Sequence, residues 1–332
     1  MRICWVVSED KAGMIAQARG LAESLKEKLK ADNQDLEIQY RLIKGKVPWK
    51  YLPNKLWPTG VFGVDLIDGS HFHEPWPDIV ISCARKAACP NAEIRRRANK
   101  AGKDIFTIHI QNPGIDMEKF DLVTTPIHDG LKGDNLIETY GSLGRVNRKM
   151  LDGAANIWRE KLKHLPKPLI AVSVGGDNKV YKYTASDIED LAQGLTKVVA
   201  QTGGGLMVTS SRRTSPENTD ILKSALKDLP HVYWDGTGEN PYFGYLGLAD
   251  YVVVTCDSAN MVSEACATGK PVFVFHVDPI RKTKFDIFHD QLNKQEMTRP
   301  FTGQISDWSY PTRNETAEMA DLVLDKLGWL AK

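Results

Sequence analysis

The chain of 332 residues has no excess of either charge, since 43 Lys and Arg stand against 42 Asp and Glu, a net of +1. That balance gives no general attraction to nucleic acid, so any anion site has to be local, built by a loop or a few arginines. No apolar run approaches the roughly 20 residues of a membrane-spanning helix. The apolar start Ile3-Cys4-Trp5-Val6-Val7 breaks at once into Ser8-Glu9-Asp10-Lys11, too soon for a signal peptide, and reads as a first strand. The five cysteines (Cys4, Cys83, Cys89, Cys256, Cys266) are odd in number and form no C-x-x-C pair. This is the pattern of reduced thiols in a cytoplasmic protein or its organellar equivalent. Three motifs are also missing: G-x-G-x-x-G after the first strand, G-x-x-x-x-G-K-[ST], and G-x-S-x-G. Their absence argues against a dinucleotide enzyme, a P-loop nucleotidase and the usual serine hydrolase.

What is present is a repeated alternation of strand and helix. Strands are expected at 2–7, 37–42, 78–82, 105–110 and 122–125, with helices at 14–30, 91–100 and about 147–163. In the first helix Ile15, Ala18, Leu21, Ala22, Leu25 and Leu29 are spaced for one apolar face. A Pro- and Trp-rich excursion without period fills 47–76. Leu165-Pro166-Lys167-Pro168 then stiffens the connection. The boundary is therefore expected there, dividing the chain into domains over 1–164 and 165–332. The rhythm restarts beyond it, with strands at 169–174, 206–210, 232–234, 251–255 and 270–275. The helices between them are read at about 185–202, 216–227, 240–248 and 258–268. A last amphipathic helix at 316–327 either packs on its own domain or crosses back to the first. The fold class expected is α/β, two Rossmann-like domains facing a central cleft.

In open parallel sheets, ligands collect where loops and helix N-termini follow the carboxyl ends of strands. Four loops of the second half carry polar residues there. Gly175 and Gly176 let a backbone approach a ligand closely, or simply make a strand-to-helix turn. Ser211, Arg212 and Arg213 suit a diphosphate, or cap a helix and face water. Asn240 and Tyr242, around Pro241, open a helix whose backbone could read a base edge. Asp257, Ser258, Asn260, Met261 and Glu264 begin a helix whose N-terminus favours an anion, with Glu264 further along for a vicinal diol. Asp257 and Ser258 also have a purely capping reading. In the first half, Asp10 and His128 are candidate general bases for an acceptor hydroxyl. His71, Phe72, His73 and Glu74 look like half a metal cluster but have no second set of ligands nearby, so a surface loop is expected. No D-x-D element occurs and no metal is expected.

Several blocks resemble the mitochondrial-fission Elm (elongated mitochondria) family. They are Lys11-Ala12-Gly13 with Gln17 and Gly20-Leu21-Ala22, then Phe120-Asp121-Leu122-Val123 with Pro126 and His128-Asp129-Gly130. In the second half they are Ser211-Arg212-Arg213-Thr214, Asn240-Pro241-Tyr242, Asp257-Ser258 with Asn260-Met261-Val262-Ser263-Glu264-Ala265, and Thr268-Gly269-Lys270-Pro271-Val272. The resemblance implies a glycosyltransferase-B-like (GT-B-like) fold and a bacterial-type, cytoplasmic member. Its plant members are associated with the outer mitochondrial surface and with a dynamin-related partner. The second domain is similar in layout to the lipid-linked and peptidoglycan sugar transferases, which implies donor-binding roles for Ser258, Asn260 and Glu264. Glu9 departs from the acidic-glycine sequence expected of relatives.

The expected function is a metal-independent GT-B-type glycosyltransferase using a nucleotide-diphosphate sugar, with no cofactor. Its acceptor is open, lipid- or envelope-linked acceptors included, and peripheral membrane contact or a protein partner is left open too. The alternatives are a non-catalytic scaffold in mitochondrial or membrane division and a nucleotide-sugar epimerase.

Overall fold

A computed structural model describes residues 1–57, 60–281 and 283–330. Pro58 and Thr59, part of the expected excursion, and the last two residues of the expected second domain lie outside the described residues. In chain order the first elements are β1 (Arg2–Glu9), α1 (Ala12–Ala31), β2 (Leu36–Gly45), β3 (Val64–Leu66), β4 (Ile79–Cys83) and α2 (Arg85–Lys100). They continue with β5 (Phe106–Ile110), β6 (Leu122–Pro126), β7 (Leu136–Thr139), α3 (Arg148–Leu162), β8 (Leu169–Val174), α4 (Ala185–Thr202) and β9 (Gly205–Ser210). Next come α5 (Pro216–Leu226), β10 (His231–Trp234), α6 (Tyr242–Leu248), β11 (Tyr251–Thr255), α7 (Ala259–Cys266) and β12 (Val272–Phe275). The last are α8 (Lys284–Lys294), β13 (Thr298–Pro300) and α9 (Glu315–Leu327).

The chain divides into two compact units, Met1–Arg145 with Asn314–Lys332, and Val146–Arg313. The break thus falls ahead of α3, where the sequence had placed it after this helix, at residue 164. The reason is packing: α3 lies on α6, and its Leu151 and Ala155 belong to the second unit's core. That contact is between segments almost ninety residues apart in sequence, so no local signal announces it. The last helix belongs to the first unit. Met319, Ala320, Val323 and Leu324 of α9 share a core with Leu21, Leu25 and Leu29 of α1. Lys28 pairs with Asp321 at 2.6 Å, and both Glu315 carboxylate oxygens accept from the loop after β7, Tyr140 N at 2.6 Å and Gly141 N at 3.0 Å.

The first unit is a seven-stranded sheet in the order β3-β2-β1-β4-β5-β6-β7. All neighbours are parallel except β2 with β3. Its central strands bury nearly every side chain, as sheets covered by helices on both faces do. The second unit is a six-stranded parallel sheet in the order β10-β9-β8-β11-β12-β13. Thr184 starts α4 with a reciprocal capping box to Asp187, and Gly203 ends it in the left-handed conformation.

Candidate functional site

In the second unit, the chain runs from β8 out to β9 and β10 on one side, then returns to β11 on the other. The loops after β8 and β11 therefore part company at a topological switch point, where such sheets bind ligands. The residues singled out in the sequence gather at this edge, but several have a different task from the one expected.

Asp257, just beyond β11, is 2% exposed, and its carboxylate is surrounded by donors. Thr255 Oγ1 donates to Oδ1 at 2.7 Å and Tyr183 Oη at 3.1 Å. The Gly176 amide donates to Oδ2 at 3.2 Å, and Arg213 Nη2 lies 2.6 Å from the same oxygen. Burial, with the Asp257 carboxylate second, pushes the Tyr183 phenol far above its ordinary range, so Tyr183 stays a donor. Asn178 Nδ2 donates to the Asp257 carbonyl at 2.9 Å, which ties the β8 loop to the β11 loop a second time.

Several residues expected at the donor site have partners within the protein. A Cβ on Gly175 would stand 2.0 Å from Asp257 Oδ1, and one on Gly176 would stand 2.1 Å from the Arg213 carbonyl oxygen. The two glycines make room for the protein's own carboxylate and backbone. Arg213 is held by Asp257 and donates through Nη1 to the Gly176 carbonyl at 3.1 Å, so its charge is already matched. Ser211 is a turn residue: its Oγ accepts from the Arg213 amide at 3.1 Å. The Met261 amide donates to Ser258 Oγ at 3.4 Å, so it is satisfied within α7 by the N-cap residue.

The remaining donor-site residues differ in exposure. Arg212 and Asn240 are exposed, while Ser258, Asn260 and Glu264 are half-buried. Asn260 and Glu264 are four residues apart on α7 and so share one face. Tyr242, in the first turn of α6, donates from Oη to Glu264 Oε2 at 2.8 Å. Burial first, and the Glu264 carboxylate second, push the Tyr242 phenol well above its usual value. Asn240 Oδ1 accepts from the Tyr242 amide at 2.9 Å, just ahead of that helix. Beyond β12, His276 stands at the same sheet edge and lies edge-on to His289, with centroids 4.8 Å apart. His289 bonds the Cys256 carbonyl through Nε2 at 2.9 Å. The sequence reading missed this histidine pair, whose one local signal is His276 directly after an apolar strand.

In the first unit, Asp10 is exposed just past β1. The His128 side chain is only 7% exposed, with Nε2 4.0 Å from Asp129 Oδ1. The strands they follow are three places apart in the sheet, roughly 14 Å at normal strand spacing. The two proposed bases therefore do not form one constellation. Between them, two non-glycine residues take left-handed backbone at strand ends, Ala84 (φ 71°) after β4 and Gln111 (φ 76°) after β5. Such strain collects at functional edges, and neither residue type announces it in sequence. The His71 and His73 rings stack 3.8 Å apart, and among the described residues no group of three or more His, Cys, Asp or Glu could hold a metal.

Two successive Rossmann-like parallel sheets, the second with a polar switch-point edge, define a GT-B-like protein. The chain belongs to the mitochondrial fission ELM1 family, whose model matches residues 12–327. It is 30% identical to the mitochondrial fission protein ELM1 of Arabidopsis thaliana, over 97% of this chain and 84% of that one. It is 26% identical to the uncharacterized protein RP120 of Rickettsia prowazekii, over 96% of this chain and 97% of that one. Among solved structures it is similar to the UDP-GlcNAc 2-epimerase of Methanocaldococcus jannaschii, with a TM-score of 0.54 at 11% identity, covering 98% of this chain and 99% of that one. The same epimerase in complex with UDP-GlcNAc and UDP gives a TM-score of 0.50 at 12% identity, covering 98% and 99%. No helix among the described residues is long and apolar enough to cross a membrane.

Proposed function

We propose that the second unit binds a nucleotide-diphosphate sugar and that the protein transfers the sugar to an acceptor hydroxyl without a metal. The observation that carries this reading is the Tyr242–Glu264 hydrogen bond at 2.8 Å. It fixes a carboxylate on the face of α7 that also presents Asn260. A carboxylate offers about four acceptor positions, so Glu264, oriented by Tyr242, is suited to accept from the hydroxyls of a ribose. The diphosphate would lie toward the start of α7, where the helix dipole favours negative charge, with Ser258 and Arg212 beside it. Arg213 would act indirectly, by keeping the Asp257 turn in shape. In transfer, the acceptor oxygen bonds to the anomeric carbon as the bond to the diphosphate oxygen breaks. The diphosphate leaves with the electron pair, and the acceptor proton passes to a base; of the two candidates Asp10 is exposed to solvent and the His128 side chain is not. Fixed donors and the helix dipole would stabilise the leaving charge in place of a cation.

The likeness to an epimerase named for UDP-GlcNAc supports a nucleotide-sugar ligand and leaves the reaction open. A second reading, a scaffold that acts through a protein partner, is favoured by the near-complete burial of His128 and its distance from Asp10. The name of the Arabidopsis relative points the same way. Thermal melting with uridine, guanosine and cytidine diphosphates and their sugars tests the first reading. A ligand at 100 times its dissociation constant adds about 2.7 kcal/mol of stability, and Glu264→Ala or Arg212→Ala should abolish that gain. If no nucleotide raises the midpoint and no diphosphate is released from any sugar donor, the transferase reading fails and the scaffold stands.

A further inference from the structure

The described residues of the connection between β2 and β3, 46–57 and 60–63, turn several apolar side chains outward. Among the described residues nine large hydrophobic side chains are exposed, and four of them lie here: Val47 (67%), Tyr51 (75%), Leu56 (63%) and Phe62 (67%). The backbone is fixed from inside. The Lys46 amide donates to the Gly63 carbonyl at 2.8 Å, which sets Val47 beside Phe62. The Lys50 amide donates to the Lys46 carbonyl at 2.7 Å, which brings Tyr51 one turn away from Val47. Buried Asn54 donates to the Pro113 carbonyl at 2.7 Å, and the buried Trp57 ring packs on Gly63. The exposed residues are therefore presented by a held framework, and their exposure is not a sign of a badly packed loop.

Charge says what covers them. Residues 46–62 contain Lys46, Lys50 and Lys55 and no Asp or Glu, in a chain whose net charge is +1. Lys46 is paired with Asp65 of β3 at 2.9 Å, which leaves Lys50 and Lys55 as the cations beside the exposed apolar side chains. The Lys50 ammonium stands 4.7 Å from the Tyr51 ring centroid, so cation and aromatic are offered together. Exposed aromatic and aliphatic side chains interleaved with lysines fit the interface of an anionic bilayer. There the rings settle at headgroup depth, and the ammonium groups meet lipid phosphates. A protein partner with an acidic rim is the competing occupant. We propose that this β2–β3 connection docks the protein on an anionic lipid surface. Nothing in that inference depends on sugar transfer.

The test uses the full chain with phosphatidylcholine vesicles, with and without phosphatidylglycerol, in a flotation assay. The wild-type protein should float with the anionic vesicles, much less with the neutral ones, and less as salt rises. Lys50→Glu with Lys55→Glu should weaken binding by at least about twentyfold, since each lysine at such a surface is worth roughly a factor of five. Phe62→Ser with Tyr51→Ser should weaken it at low and high salt alike. Ile157→Ser, at an exposed position on α3 in the other unit (56%), should leave it unchanged. Tyr51, Lys55 and Phe62 are exposed and Lys50 is half-buried, and an unchanged melting midpoint checks that each variant folds. The proposal is overturned if the wild-type protein ignores anionic vesicles, or if Ile157→Ser weakens binding as much as the β2–β3 variants. It is equally overturned if those variants abolish capture of a protein while vesicles never bind.

Discussion

Arg213 and Asp257 form an ion pair in which the carboxylate side chain is wholly buried and the guanidinium is 38% exposed. That asymmetry decides what each substitution does. Removing the arginine leaves a buried carboxylate with neutral donors alone, and breaking such a pair costs about 3–5 kcal/mol. Arg213→Met should therefore destabilise the second unit strongly, whereas Arg212→Met, at an exposed side chain, should stay within about 0.5 kcal/mol of wild type. Urea melts of the two variants make the comparison. Equal stabilities would mean that Asp257 does not depend on Arg213.

The glycine pair makes a sharper demand. Gly176→Ala would set its methyl carbon 2.1 Å from a backbone carbonyl oxygen, which cannot swing aside like a side chain. A loss of roughly 1–3 kcal/mol or more is expected from overpacking of this kind. Gly153→Ala, where an added carbon meets nothing within 4 Å on α3, should if anything stabilise, by up to about 1 kcal/mol. Thermal midpoints of the two alanine variants on opposite sides of wild type are the expected result.

For the ligand site, Tyr242→Phe removes only the hydroxyl that holds Glu264. If Glu264 grips a ribose, diphosphate affinity should fall by about 1 kcal/mol, roughly fivefold, from loss of that one orienting hydrogen bond. Glu264→Ala should cost more, because the diol contacts go as well. Calorimetric titration of both variants with the best diphosphate measures the order. A Tyr242→Phe protein that binds more weakly than Glu264→Ala contradicts the assigned roles.

Acid should destabilise both units. Burial pushes His109 down to about 3 and His289 down to about 4. Below its ordinary value of about 6.5 the unfolded imidazole takes a proton that the folded one refuses. The unfolded state then binds more protons, so stability is full above about pH 6.5 and falls as pH drops toward the folded values. The slope approaches about 1.4 kcal/mol per pH unit for each histidine. In the second unit His289→Gln, whose amide can still donate to the Cys256 carbonyl, should flatten this fall. An unchanged pH profile of its melting would assign the acid sensitivity elsewhere.

Much of the fold is written locally. The bounds 169–174 and 185–202 expected from sequence coincide with β8 and α4, because a run apolar but for Ser173 marks the strand, and a Thr184 cap with Gly203 behind it marks the helix. Other elements carry weak or contrary signals. Pro90 lies inside α2, which begins at Arg85, ahead of the start expected at residue 91. β7 and β13 are short edge strands with polar or proline residues, and α8 follows a loop that bears no apolar period. The polar residues of the switch-point edge were legible as a group, since strand–loop–helix order brings them to one side of a sheet. Their division of labour was not, because it depends on contacts across the chain. Gly175 is shaped by Asp257, eighty-two residues later, and Glu264 by Tyr242 on another helix. Nothing near either residue in sequence records that partner.

The position of α9 bears on how the protein comes to be made. A ribosome that has delivered residues 1–145 has released every strand of the first sheet, yet Leu21, Leu25 and Leu29 still lack the helix that covers them. The second unit, continuous from 146 to 313, can complete its own core before that helix emerges. The unit synthesised first is thus the one finished last, and until then its α1 offers a sticky apolar stripe to chaperones and to neighbouring nascent chains.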